Sequence, residues 1–138
     1  MRIVCDTNVI VFGLLFEGPS RTVLKLIATG AVVNITSAIL FSEFDGVIRR
    51  RPKFGLSPDE IAAVINQLAE TFEFAAPSCR VDVVVRDPDD NRVLEAALAG
   101  AAELVVTGDS DLLELESFEG IGLINAAQFL RPFTPWAR

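Results

Sequence analysis

The sequence contains no histidine and no tyrosine. The first absence removes imidazole as a general base, as the partner of a nucleophile and as a zinc ligand, and the second removes phenolic catalysis. Cysteine is scarce: Cys5 and Cys79 lie far apart and match no metal-binding spacing. Cys5, inside an apolar run, reads as a buried thiol. Long apolar runs are missing too. None approaches the roughly 20 residues needed to span a bilayer. Only Ile3, Val4 and Cys5 precede Asp6 as an apolar stretch, too few for a secretory leader. No membrane association is expected, and the cytoplasm is the expected compartment. Positive charge is in deficit, with Lys25 and Lys53 the only lysines and a formal net charge of −7. General attraction to a polyanion is therefore excluded, unless the negative charge is concentrated where metal ions bind. Hydrolytic chemistry in such a chain has to rest on carboxylates and hard metal ions.

What is present is apolar mass: 51% of 138 residues are hydrophobic. That fits one domain over residues 1–138 with one core. The stretch Arg2-Ile3-Val4-Cys5-Asp6-Thr7-Asn8 organises the rest. A short apolar, β-favouring run stops at an acid, as in a buried central strand of a parallel sheet. Val9 to Phe16 reads as a buried helical turn leading to the loop Glu17-Gly18-Pro19. Ser20 is the expected N-cap of a helix that buries Val23, Leu24 and Ile27, with Gly30 as its C′ residue. Ala31 to Thr36 follows as a strand. Strand, helix, strand is the start of a parallel sheet with right-handed crossovers.

Ser37 is expected to cap a helix running to about Arg50, with Leu40, Phe41, Phe44, Val47 and Ile48 as its apolar stripe. Glu43 lies at the edge of that stripe and, taken alone, reads more readily as a solvated flank, while Asp45 projects from the opposite side. The basic run Arg49-Arg50-Arg51-Pro52-Lys53 either complements the negative helix end or holds phosphates, since Arg50 shares the flank of Glu43. Ser57-Pro58-Asp59-Glu60 is a helix start with a capping box. Phe72 to Ala75 suggests a short strand, and Val81 to Arg86 is extended without a clear assignment.

Asp87-Pro88-Asp89-Asp90-Asn91 is the densest acidic cluster. Asp87 and Asp89 are explained as turn formers and helix-dipole partners. Asp90, in phase with Leu94 and Ala97, is expected on the buried face, with Arg92 and Glu95 pointing away. A carboxylate facing a core needs a cation or hydrogen bonds to meet it. Leu104 to Thr107 repeats the first strand and delivers Asp109 and Asp111 beyond its carboxyl end. Ile121 to Ile124 is a last strand, Ala126 to Leu130 a helical turn, and the tail Pro132 to Trp136 is apolar enough to pack on the body or a partner. Asp6, Glu43, Asp90 and Asp109 thus converge on one sheet edge, where an all-oxygen pocket suits Mg²⁺ or Mn²⁺.

These residues resemble a PIN-domain nuclease. The likeness is carried by Val4 to Val9, Ser37 to Glu43, Arg51 to Phe54, Arg86 to Asn91 and Val105 to Leu113, and is similar to the branch described as toxin components of toxin–antitoxin pairs. It implies an α/β fold, a three-layer α/β/α sandwich with a central parallel sheet of PIN-like, Rossmann-like type. It implies a Mg²⁺- or Mn²⁺-dependent endoribonuclease with Asp6, Glu43, Asp90 and Asp109 as catalytic and metal-binding acids. Asp111 matches a further metal-binding acid, and Asn8 and Thr107 match supporting polar residues. Arg49, Arg50 and Lys53 are the expected RNA contacts. An antitoxin protein and a homodimer are the partners it implies. Two other readings compete with this one. A phosphoryl receiver needs a lysine at the end of its last strand, and neither lysine is near Ile124. A silent RNA-binding or scaffold protein of the same fold would tend to lose the acids, and they are present.

Overall fold

The computed structural model describes residues 1–50 and 55–133. Arg51, Pro52, Lys53 and Phe54, expected to contribute to the basic run, lie outside the described residues, as does the end of the apolar tail from Thr134.

Six strands form one sheet in the order β3-β2-β1-β4-β6-β5, with β1 Arg2–Cys5, β2 Val33–Thr36, β3 Glu73–Phe74, β4 Leu104–Val106, β5 Ser117–Phe118 and β6 Ile121–Ile124. All neighbours are parallel except β5, which returns antiparallel to β6 through a turn with Glu119 at φ +50° and Gly120 at φ +79°. The sequence gives little notice of β5, a two-residue edge strand with no alternation to read. The chain order moves outward from β1 to β2 and β3, then reverses to β4 and β6. The reversal lies between β1 and β4, and ligand crevices of open α/β sheets form beyond the strand ends at such a switch point.

The three layers follow from the two-residue period of the strands. Ile3 and Cys5 face one core and Val4 the other; one strand over, Val106 and Val105 divide in the same way. The first core gathers Val9 and Ile10 from α1 Thr7–Leu15, Val23 and Ile27 from α2 Pro19–Ala28, Phe44 and Ile48 from α3 Ala38–Arg49, and Ile61 and Ile65 from α4 Pro58–Thr71. Phe129 of α7 Ala126–Leu130 joins it. The second is built on α5 Asn91–Ala99, whose Val93, Leu94 and Ala97 are buried, with Leu112 of α6 Ser110–Leu113 at its edge. Cys5 is buried as expected, and burial raises its thiol pKa well above the ordinary value.

Local signals account for most helix ends. Ser37 accepts from Leu40 N, Ser57 and Glu60 form the capping box, and Gly30 follows α2 at φ +82°. Ser20 is not a cap. Gly18 takes that place at φ +142° and Pro19 opens the helix, because proline's preset φ suits the first helical position and its missing N–H costs nothing there. In the described tail, Phe133 packs on Phe129 with ring centroids 5.5 Å apart.

Arg92 and Glu95 also depart from expectation: they do not point away. Glu95 is 8% exposed, pairs with Arg92 at 2.9 Å and accepts from Val81 N at 2.8 Å, while Arg92 donates to Val81 O at 3.1 Å. Residues 75–87 carry no regular element, and they lie across α5 with backbone groups that need partners. Fully buried Asn91 completes the job, accepting from Val83 N and Val84 N at 3.0 and 2.9 Å and donating to Val84 O and Pro88 O.

Candidate active site

Asp6 stands one residue past β1. The register pairs Cys5 with Val106, and Asp6 N donates to Val106 O at 3.1 Å, so Asp6 comes alongside Thr107. Its side chain caps α1: Oδ1 accepts from Asn8 N at 2.8 Å and Val9 N at 3.4 Å, and Oδ2 accepts from the Thr107 hydroxyl. Asp6 is 7% exposed. Burial raises its carboxyl pKa, the hydrogen bonds from Thr107, Asn8 and Val9 oppose that, and the charge of Asp109 adds to the rise.

Asp109 repeats the device after β4. It caps α6, accepting from Asp111 N at 2.8 Å and Leu112 N at 3.2 Å. Thr107 joins the two acids: fully buried, it donates to Asp6 and accepts from Asp109 N at 3.0 Å. Asn8 holds Asp6 through its backbone N–H, and the residue itself lines the cleft.

Asp90 is different. It ends a 3₁₀ turn over Pro88–Asp90, immediately before α5 rather than inside it, and its side chain makes no capping bond. Its Oδ2 is buried and has no hydrogen-bond partner among the described residues. Its carboxyl is pushed up to about 7, first by burial, then by the charges of Asp109, Asp87 and Asp6, and by the nearby Asp109 carboxylate, which Asp90 can hydrogen-bond only when protonated. Glu43 reaches the cleft from α3. Shielding raises its pKa, as do the charges of Asp89, Asp6 and Asp87.

Asp6, Glu43, Asp90 and Asp109 therefore line one cleft of about 120 Å³, room for a few waters at about 30 Å³ each. Asp87 and Asp89 line it too. Asp87 does form the turn, accepting from Asp89 N at 3.2 Å, but turn-forming was only half of its position. The signal was the density of acids around Pro88. Asp111 does not line the cleft, yet Asp90, Asp109 and Asp111 each present a carboxylate oxygen within 4.8 Å of the others. The sequence grouped five metal-binding acids; the geometry separates a tight trio from Asp6, whose oxygens already accept three bonds, and from Glu43 on the facing helix. All-oxygen donors, mutual repulsion and the orphaned Asp90 oxygen fit a hard divalent cation.

Of the expected RNA contacts, Arg49 is ion-paired with Asp45, away from the cleft. Arg50 follows Glu43 and Gly46 at i+7 and i+4, and its guanidinium lies 3.5 Å from where a Cβ on Gly46 would stand. Lys53 lies outside the described residues.

Among the described residues, no helix is long and apolar enough to cross a membrane. No curated protein matches the sequence. A family model described as PIN domain matches residues 2–111. That match covers most of the chain and every acid of the cleft, and the chain belongs to the PIN-domain family.

Proposed function

We propose that this chain is an endoribonuclease dependent on Mg²⁺ or Mn²⁺, acting as the toxin of a toxin–antitoxin pair in the cytoplasm. PIN domains are generally metal-dependent nucleases, and the acidic cluster suits that chemistry. RNA as the substrate, an antitoxin protein as the partner, a homodimer as the assembly and one domain over residues 1–138 are our reading.

The observation that carries it is Asp90. A buried carboxylate oxygen without a donor, beside Asp109 and Asp111, is a liability in a fold unless a cation meets it. Asp90, Asp109 and Asp111 would hold that cation. When bound, it supplies a Lewis acid that activates a water and stabilises the leaving oxygen of a phosphodiester. Thr107 fixes the rotamer of Asp6 and, through Asp109 N, the start of the turn carrying Asp109. Asp6 thus presents a set charge to the cleft floor. Glu43, on the opposite wall with a raised proton affinity, takes a proton from the attacking water at its carboxylate oxygen.

The test is cleavage of labelled single-stranded RNA by purified protein. Cleavage is expected with Mg²⁺ or Mn²⁺ and absent in EDTA; undiminished cleavage in excess EDTA overturns the metal mechanism. Expression of the chain alone in a bacterial host is expected to arrest growth, and a small DNA-binding protein from a neighbouring reading frame to relieve it. Unimpaired growth at high expression overturns the toxin role.

A further inference from the structure

The cleft is lined by carboxylates, and its proposed substrate is a polyanion. A cation has to hold the chain of phosphates beside the acids, and four of the eight described arginines are committed elsewhere. Arg2 is tied to Glu73 and Gly100 O, Arg21 to Gly13 O and Leu14 O, Arg49 to Asp45, and Arg92 to Glu95 and Val81 O. Arg86 is not. Its side chain is 83% exposed, and the nearest approach to its partner Asp111 is 3.6 Å, too long for a hydrogen bond.

We propose that Arg86 is the phosphate-binding residue of the site and places the substrate strand over the acid cleft; this rests on the nuclease reading above. Three features of its setting support the role. Asp111 belongs to the acid trio with Asp90 and Asp109, so Arg86 stands at the metal-binding edge rather than on a remote face. Its backbone anchor is firm although the segment has no regular structure. Val84 is bonded through both N and O to Asn91, and Asp87 caps the following turn, so the fork moves while its base stays. It also opens on a groove of about 400 Å³ that includes Val83, Val84, Asp111, Glu114 and Leu115, where the guanidinium is the positive charge among two acids. Once Asp111 serves a cation, the long contact to Arg86 loses its counter-charge. The guanidinium then finds its best partner in phosphate oxygens, which its planar fork meets in pairs.

The experiment compares wild type with Arg86→Gln and Arg86→Lys in the full chain. It measures steady-state cleavage of single-stranded RNA with Mn²⁺, binding of the same RNA and of single-stranded DNA across a salt series, and Mn²⁺ affinity by calorimetry without nucleic acid. Arg86→Gln is expected to raise KM about tenfold with a smaller change in kcat, to lower the salt slope of binding by about one, and to leave Mn²⁺ affinity unchanged. Arg86→Lys should restore the salt slope and only part of the KM, because a point charge replaces the fork. A wild-type salt slope and KM in Arg86→Gln overturns the proposal while the nuclease reading stands. A changed Mn²⁺ affinity with unchanged nucleic-acid binding overturns it too, making Arg86 a partner of Asp111 alone. Wild-type protein that binds neither nucleic acid overturns both.

Discussion

The acids of the cleft come in two kinds. Asp6 and Asp109 stand at strand ends, and each carboxylate closes the first turn of the following helix by accepting two backbone N–H bonds. Asp90 stands at a helix start, where donors are abundant, and takes none of them. The first kind serves fold and site with the same atoms. The second serves the site at the fold's expense. The lesson is that the cost of charge in a cleft depends on how many donors each oxygen already has.

The largest expected effect erases the comparison. Asp109→Asn and Asp90→Asn should each slow RNA cleavage by about two orders of magnitude or more, because both oxygens are proposed to serve the same cation. Asp45→Asn, paired with Arg49 outside the cleft, should leave the rate within about twofold. Equal losses at Asp45 and Asp109 would place the chemistry elsewhere.

Stability is expected to separate what activity merges. Asp6→Ala removes the cap of α1 and leaves the buried Thr107 hydroxyl without its acceptor, a loss of about 2 kcal/mol in chemical denaturation with EDTA. Asp90→Asn should instead raise the melting temperature in EDTA. The sign follows from the proton. Asp90 titrates near 7 in the fold against an ordinary 3.8, so the folded form binds the proton more tightly. Its contribution is fully present below about pH 3.8 and is lost as pH rises through about 7. Metal-free wild type should therefore lose stability across that window more steeply than Asp90→Asn; the raised Asp6 and Glu43 leave a shallower slope in the variant. Mn²⁺ should return about 2.7 kcal/mol to wild type at a hundredfold excess over its dissociation constant, and less to the variant. A lower melting point for Asp90→Asn in EDTA would show a donor for Asp90 and collapse the two kinds into one.

The smallest effect concerns the two arginines at the end of α3. Arg50→Gln should lower the salt slope of RNA binding by about one, and Arg49→Gln by less, since Asp45 already neutralises Arg49. Slopes unchanged from wild type in both variants would mean that neither reaches the substrate.

The strand-end acids were legible because a short apolar run is followed directly by Asp6 in one case and, after Thr107 and Gly108, by Asp109 in the other. Caps at Ser37 and Ser57 were legible for the same reason, a side chain bonding a backbone three residues on. Glu95 and Asn91 were not. The amides they accept from lie 7 to 14 residues away, in a segment whose own pattern names no element. Helical phase marked Glu95 as solvent-facing, and only the placement of Val81 beside it made burial favourable. Asp87 and Asp89 were half legible: the turn was visible, but the face that the turn presented was not.

Asn91 has a further consequence. The amides of Val83 and Val84 sit in an irregular segment, yet both are locked onto a fully buried side chain at the first residue of α5. Their hydrogen exchange should therefore be as slow as that of α5 itself, and should speed up only when that helix opens. Segment and helix form one cooperative unit, with Arg86 and Asp90 riding on it. The lifetime of the assembled cleft is then the lifetime of α5, and a protease that cuts after Arg86 must wait for the helix to unfold.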